Sequence, residues 1–158
     1  MNEPIYCIFK KEKGLHLQRT VFNRYGSGLE CLYVQLTKNC GIKVFPGLRD
    51  CKVSFRKQKL AARHKLAPKV FSKAIKKINV KNFKYYGCPT KTFINNVGYF
   101  YETEVASNVG EGVNLKKGVA LEKALKRIGI STGDLYENNM GRVRGKLVCI
   151  DFGLISTT

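Results

Sequence analysis

Asp134 is followed five residues later by Asn139, and Asp151 comes twelve residues after that, leading into Phe152-Gly153. Phosphoryl transfer needs one carboxylate near the attacking hydroxyl and oxygen ligands for magnesium beside the phosphates. Hard oxygen donors from Asn and Asp suit that metal. The upstream half offers residues suited to the phosphates themselves. Tyr25-Gly26-Ser27-Gly28 precedes a strand-like run, and a glycine turn brings backbone close to phosphates. Lys43 lies in Gly41-Ile42-Lys43-Val44-Phe45, on what reads as the next strand, within reach of alpha and beta phosphates. Alternatives stand beside each of these. Gly26 and Gly28 also suit a plain hairpin turn, Lys43 also belongs to a basic stretch, and Asp134 also suits the capping of a turn after Gly133.

These residues need elements to hold them. Residues 4–9 read as a short strand. Residues 29–36 and 41–45 read as strands joined by the polar turn Thr37-Lys38-Asn39-Cys40-Gly41, hence an antiparallel hairpin. From Asp50 to Leu66 the pattern is helical. Val53, Leu60 and Ala61 share one face, and Lys52, Arg56, Lys59 and Arg63 another. Asp50 is placed to cap this helix and Pro68 to stop it. Residues 69–96 read as short strands or irregular chain. Val97–Val105 is a strand, Asn114–Ile128 a second helix ended by Gly129, and Leu147–Ile150 a last strand.

The order is glycine turn, strand, strand Lys, helix, Pro-led strand, aromatic strand, helix, Asp…Asn, and Asp-Phe-Gly. Residues 24–153 resemble a reduced protein-kinase-like fold in that order, closer to the atypical RIO-type and aminoglycoside-phosphotransferase-like kinases than to typical protein kinases. His64-Lys65-Leu66-Ala67-Pro68 is similar to the step after the first helix in those families. Tyr101-Glu102-Thr103-Glu104-Val105-Ala106 is similar to the hinge that holds adenine. The resemblance implies an α+β fold. Its N-lobe (1–106) would be an antiparallel sheet with one basic helix, and its truncated C-lobe (107–158) mainly helix and loop. It implies ATP and Mg2+ as cofactors and transfer of phosphate to a protein hydroxyl. Lys43 would pair with phosphate, and Asp134 would orient the nucleophile or take its proton. Asn139 and Asp151 would hold magnesium. Gly26, Ser27, Gly28, Glu104 and Ala106 would line the nucleotide.

The sequence departs from that family in several places. No Glu occurs between Asp50 and Pro68, where the family has a partner for the strand Lys, and Gln58 is the nearest polar stand-in. Thr132 stands where a His or similar residue precedes the catalytic Asp. The turn has two glycines rather than three. Five residues follow Gly153, too few for the usual peptide-docking helices. A second reading follows from these losses: a catalytically weak kinase-like module that binds nucleic acid or an acidic protein through its basic N-lobe. Nucleotidyl transfer at the same site is a third.

The charge suits nucleic acid, an acidic protein or, equally, a solvated surface with no partner. The 158 residues carry a formal net charge of +18. Residues 38–91 hold sixteen basic groups and only Asp50 as an acid. Such a patch attracts phosphate backbones or acidic proteins. The Tyr85-Tyr86 pair suits base stacking as well as a core. Hydrophobic residues make up 44 %, enough for a packed core. No run of eighteen apolar residues and no leader pattern is present, so cytoplasm is the expected compartment. The chain also looks like the small proteins phages deploy, which would make that the host cytoplasm. The six cysteines show no CxxC spacing, so reduced thiols are expected rather than disulfides or a zinc site. A helix face left bare by the missing helices would suit a homodimer.

Overall fold

Short runs of β-branched and aromatic residues separated by polar turns favour antiparallel pairing, and the computed structural model has that form. It describes residues 19–24, 30–79, 93–107, 115–131 and 140–152. The fold class is α+β, with two antiparallel sheets and two helices. The larger sheet holds β1 (Arg19–Arg24), β2 (Glu30–Gln35), β3 (Cys40–Phe45), β4 (Lys76–Asn79) and β5 (Val97–Glu104). Its strand order is β1-β2-β3-β5-β4. Helix α1 (Leu48–Arg63) carries the chain from β3 toward β4. After helix α2 (Leu115–Arg127), the strands β6 (Met140–Val143) and β7 (Lys146–Cys149) pair as a separate hairpin. Among the described residues no helix is long and apolar enough to cross a membrane.

The expected hairpin across Thr37–Gly41 is present as β2 and β3. The Thr37 hydroxyl accepts hydrogen bonds from the N–H groups of Asn39 and Cys40 at 3.3 and 3.0 Å, which fixes the turn. Gly41 is required there, because a Cβ would come 2.5 Å from the Tyr33 hydroxyl oxygen. The β6–β7 turn has positive φ at both central residues, 51° at Arg144 and 79° at Gly145. Such a pair matches the twist of the flanking strands. Residues 4–9, read as a strand, lie outside the described residues, as do Tyr85 and Tyr86.

Helix boundaries differ from the expected ones for physical reasons. Asp50 does not cap α1. Gly47 is the N-cap and no side chain bonds to the open N–H groups, so Asp50 sits in the first turn and acts through its charge on the helix dipole. Pro68 is not the stop either. The Leu66 N–H donates to the Ala61 carbonyl at 2.9 Å and the Lys65 N–H to Ala62 at 3.0 Å, a Schellman closure with Lys65 at φ 58°. Helix α2 ends the same way, with Ile130 bonded to Leu125, Gly129 bonded to Lys126, and Gly129 at φ 85°, as its glycine predicts. Only in α1 does a residue with a Cβ occupy the left-handed position, which costs about 1 kcal/mol. Lys65→Gly is therefore expected to raise stability by up to about 1 kcal/mol, read as a higher urea midpoint at unchanged slope.

Among the described residues, two apolar clusters join the helices to the strands. Phe45, Cys51 and Tyr101 pack α1 onto the sheet, with Phe55, Val70, Ile75 and Tyr99 around them. Ala61 and Ala67 join Leu121, Leu125, Ile130, Met140, Cys149 and Phe152 in the second cluster. The end of α1 therefore rests on α2 and on the β6–β7 hairpin. The Cys149 N–H donates to the Leu66 carbonyl at 2.9 Å across the same contact.

Candidate functional site

Strand alternation places Lys43 on the face of β3 that meets α1. Lys43 pairs directly with Tyr101 of β5, and Thr103 lies two residues along on the same face. Helix α1 turns Cys51, Ser54, Gln58 and Ala61 inward, at spacings of three and four residues. Gln58 thereby reaches Lys43, and its side chain is fully buried.

Gln58 is the centre of a closed set of hydrogen bonds. Its Oε1 accepts from Lys43 Nζ at 2.9 Å and from the Tyr101 hydroxyl at 2.8 Å. Its Nε2 donates to the Pro68 carbonyl at 3.0 Å and to Thr103 Oγ1 at 2.7 Å. Since the Tyr101 proton goes to Gln58, Ser54 donates to Tyr101 across their 2.7 Å contact. The Thr103 hydroxyl then donates to the Lys69 carbonyl at 3.2 Å. Two acceptor positions and two donor protons are all used. A carboxylate in place of this amide would have no proton to offer Pro68.

Lys43 has a second neighbour from the far end of the chain. Its Nζ donates to the main-chain carbonyl of Ile150. It also lies 5.7 Å from the centre of the Phe152 ring, within cation–π range. Asp151 falls between those two residues and is half-buried. The structure thus brings Lys43 and Asp151 into one locale from opposite ends of the sequence. Asp134, Asn139, Gly26, Ser27 and Gly28 lie outside the described residues.

Glu104 and Ala106 occupy the end of β5 and the segment after it. In the β3–β5 register Glu104 pairs with Cys40 and Tyr101 with Lys43, three residues or about 10 Å along the sheet. The Glu104 N–H donates to the Lys69 carbonyl at 2.8 Å, and its carboxylate takes Arg144 at 2.8 Å. Ser107 and Arg142 exchange two backbone hydrogen bonds of 2.9 Å, which ties this segment to β6. Gly141 permits that approach, since a Cβ there would sit 2.9 Å from the Ala106 Cβ and 3.0 Å from the Ser107 carbonyl. Among the described residues the N–H and C=O of Ala106 make no hydrogen bond with protein.

Family profiles, curated proteins and solved structures were all compared with the chain, and none matched. The local chemistry therefore bears the functional argument alone. Two further residues, Tyr101 and Thr103, belong to the Lys43 network. Sequence reading placed them in a hinge-like stretch, and only the strand register sets them beside Gln58.

The thiols nearby are unreactive by construction. Burial pushes Cys149 up to about 12 from 9.0, outweighing the hydrogen bond to the Asp151 carbonyl and the nearby Lys43 charge. Burial does the same to Cys51, helped by Asp50, also to about 12. Between 9.0 and about 12 the unfolded chain sheds these protons while the folded chain keeps them. Their contribution to stability is thus whole below pH 9.0 and declines as pH rises toward 12. Iodoacetamide at neutral pH is expected to spare Cys51 and Cys149 in the native protein and label both in urea, as peptide mass spectrometry would report.

Proposed function

We propose that this chain is an ATP- and magnesium-dependent phosphotransferase that acts on protein hydroxyls. The observation that carries the reading is the meeting of Lys43 with Ile150 and the neighbouring Asp151, 107 residues apart. A buried ammonium beside a carboxylate-bearing strand end suits a phosphate chain bridged by magnesium. The sheet order supports it too, since the hairpin β1–β2, the Lys43 strand and the Glu104 strand lie side by side, with α1 packed on the last two.

On this reading Lys43 contacts the nonreacting phosphates and the Gly26-Ser27-Gly28 turn covers them. Glu104, about 10 Å along the sheet from Lys43, and Ala106 beyond it line the adenine. Asp134 orients the acceptor hydroxyl. Asn139 and Asp151 hold magnesium, which when bound neutralises charge on the transferred group. Gln58 holds the Lys43 ammonium by dipole rather than by charge, so the positive charge of Lys43 is left for the phosphates.

ATP labelled at the gamma position, magnesium and a panel of acceptor proteins give the test. Label should pass to protein with the parent chain and fall at least about 100-fold with Asp151→Ala. Equal transfer by both would refute the reading, as would no transfer by either. Transfer from an alpha label instead would mean nucleotidyl transfer.

A further inference from the structure

Helix α1 flanks a depression of about 350 Å³ that is lined by Phe55 and Leu60 and by Ile130 from beyond α2. Arg56, Lys57, Lys59 and Arg63 surround it. The Schellman turn at Gly129 brings Ile130 behind its inner wall, where it is already buried, so half-buried Phe55 and Leu60 supply the apolar surface. Lys59 lies 4.8 Å from the centre of the Phe55 ring.

Among the described residues none of the four cations forms an ion pair; the pair present is Arg144 with Glu104, which belongs to another surface. Arg63 in the last turn of α1 is favoured by the helix dipole. The other three gain nothing from it, and like charges three and four residues apart repel. An arriving anion relieves that repulsion. A nucleic-acid backbone would satisfy the rim, but its bases would find the Phe55 ring taken up by Lys59 at 4.8 Å and by Tyr101, and would leave aliphatic Leu60 unused. A second copy of the chain would bring a further net charge of +18.

We propose that this groove docks an acidic amphipathic segment of another protein, with a leucine or similar anchor flanked by Asp and Glu. The anchor covers Leu60 beside Phe55, and the carboxylates meet Arg56, Lys57, Lys59 and Arg63. The surface is separate from the Lys43 locale, and the docking does not depend on phosphotransfer.

Fluorescence anisotropy with a labelled peptide of about 12 residues, all Asp and Glu except two leucines four apart, tests the proposal. A control peptide carries serines at the leucine positions, and an oligothymidylate of equal length is the third probe. The leucine peptide should bind about tenfold tighter than the serine peptide. Arg56→Glu with Arg63→Glu should weaken it about tenfold or more, while Lys76→Glu with Lys77→Glu, an equal charge change on exposed β4, should weaken it less than about threefold. Equal binding of the two peptides would overturn the proposal, as would equal loss from both charge reversals. Tighter, groove-dependent binding of the oligothymidylate would also overturn it, in favour of single-stranded nucleic acid. Circular dichroism of each variant confirms that the exposed substitutions leave the fold in place.

Discussion

Gln58→Ala is expected to lower stability by about 4 kcal/mol, a large share of what a domain of this size possesses. Two costs add. A fully buried side chain leaves a cavity. Four polar groups also lose a partner: Lys43 Nζ, the Tyr101 hydroxyl, the Pro68 carbonyl and Thr103 Oγ1. Each buried group left unpaired costs about 1–3 kcal/mol, moderated by relaxation. Gln58→Glu is the sharper comparison. It supplies a negative charge opposite the Lys, and simple pairing logic predicts a gain. The hydrogen-bond directions predict a loss of about 1–3 kcal/mol instead, because the new carboxylate faces the Pro68 carbonyl without a proton. Urea unfolding of the three proteins decides it. A raised midpoint for Gln58→Glu would show that the amide is not oriented as described.

Lys43→Met separates the role of this residue in folding from its role in chemistry. Burying an ammonium is costly, and methionine has similar length without that cost. The loss falls on the Ile150 carbonyl, while Gln58 Oε1 keeps the Tyr101 hydroxyl. These effects oppose each other, so stability should change by less than about 1 kcal/mol. Phosphotransfer, on the proposed reading, should fall by about 100-fold or more, since the group that meets the phosphates is gone. The thermal shift produced by ATP with magnesium should vanish with it. A Lys43→Met protein that keeps its ATP-dependent shift would remove Lys43 from the nucleotide site.

Much of the architecture was legible because its signals are apolar and local. The β2–β3 hairpin, the strand from Val97 and the helix ended by Gly129 all follow from runs of strand formers, polar turns and one glycine. The inner face of α1 was not legible. Periodicity picked out Val53, Leu60 and Ala61, whereas Cys51, Ser54 and Gln58 join Ala61 as the buried residues. A hydropathy pattern cannot find a face whose buried groups are a thiol, a hydroxyl and an amide satisfied by hydrogen bonds. The strand β1 was missed for a related reason: Arg-Thr-Val-Phe-Asn-Arg has a brief apolar centre between charges, and its pairing partner supplies the rest. At the site, the sequence named Lys43 and Asp151 by type and order, and named Gln58 as the polar stand-in. Tyr101, Ser54 and Thr103 could be recognised as part of it only from the register of β3 with β5 and the packing of α1.

The bond from Lys43 to Ile150 also has a meaning in time. Gln58 is 15 residues from Lys43, so that half of the lysine's environment forms from local chain. The other half lies 107 residues further on. At ribosomal speeds of about 5–20 residues per second, the ammonium waits on the order of 5–20 s for Ile150 to be made. Closing so long a loop is also slow for a refolding chain, since its entropy must be lost before the contact forms. A newly made sheet with α1 against it would hold Lys43 poised on Gln58, and the arrival of the β6–β7 hairpin would be the last event that completes the site.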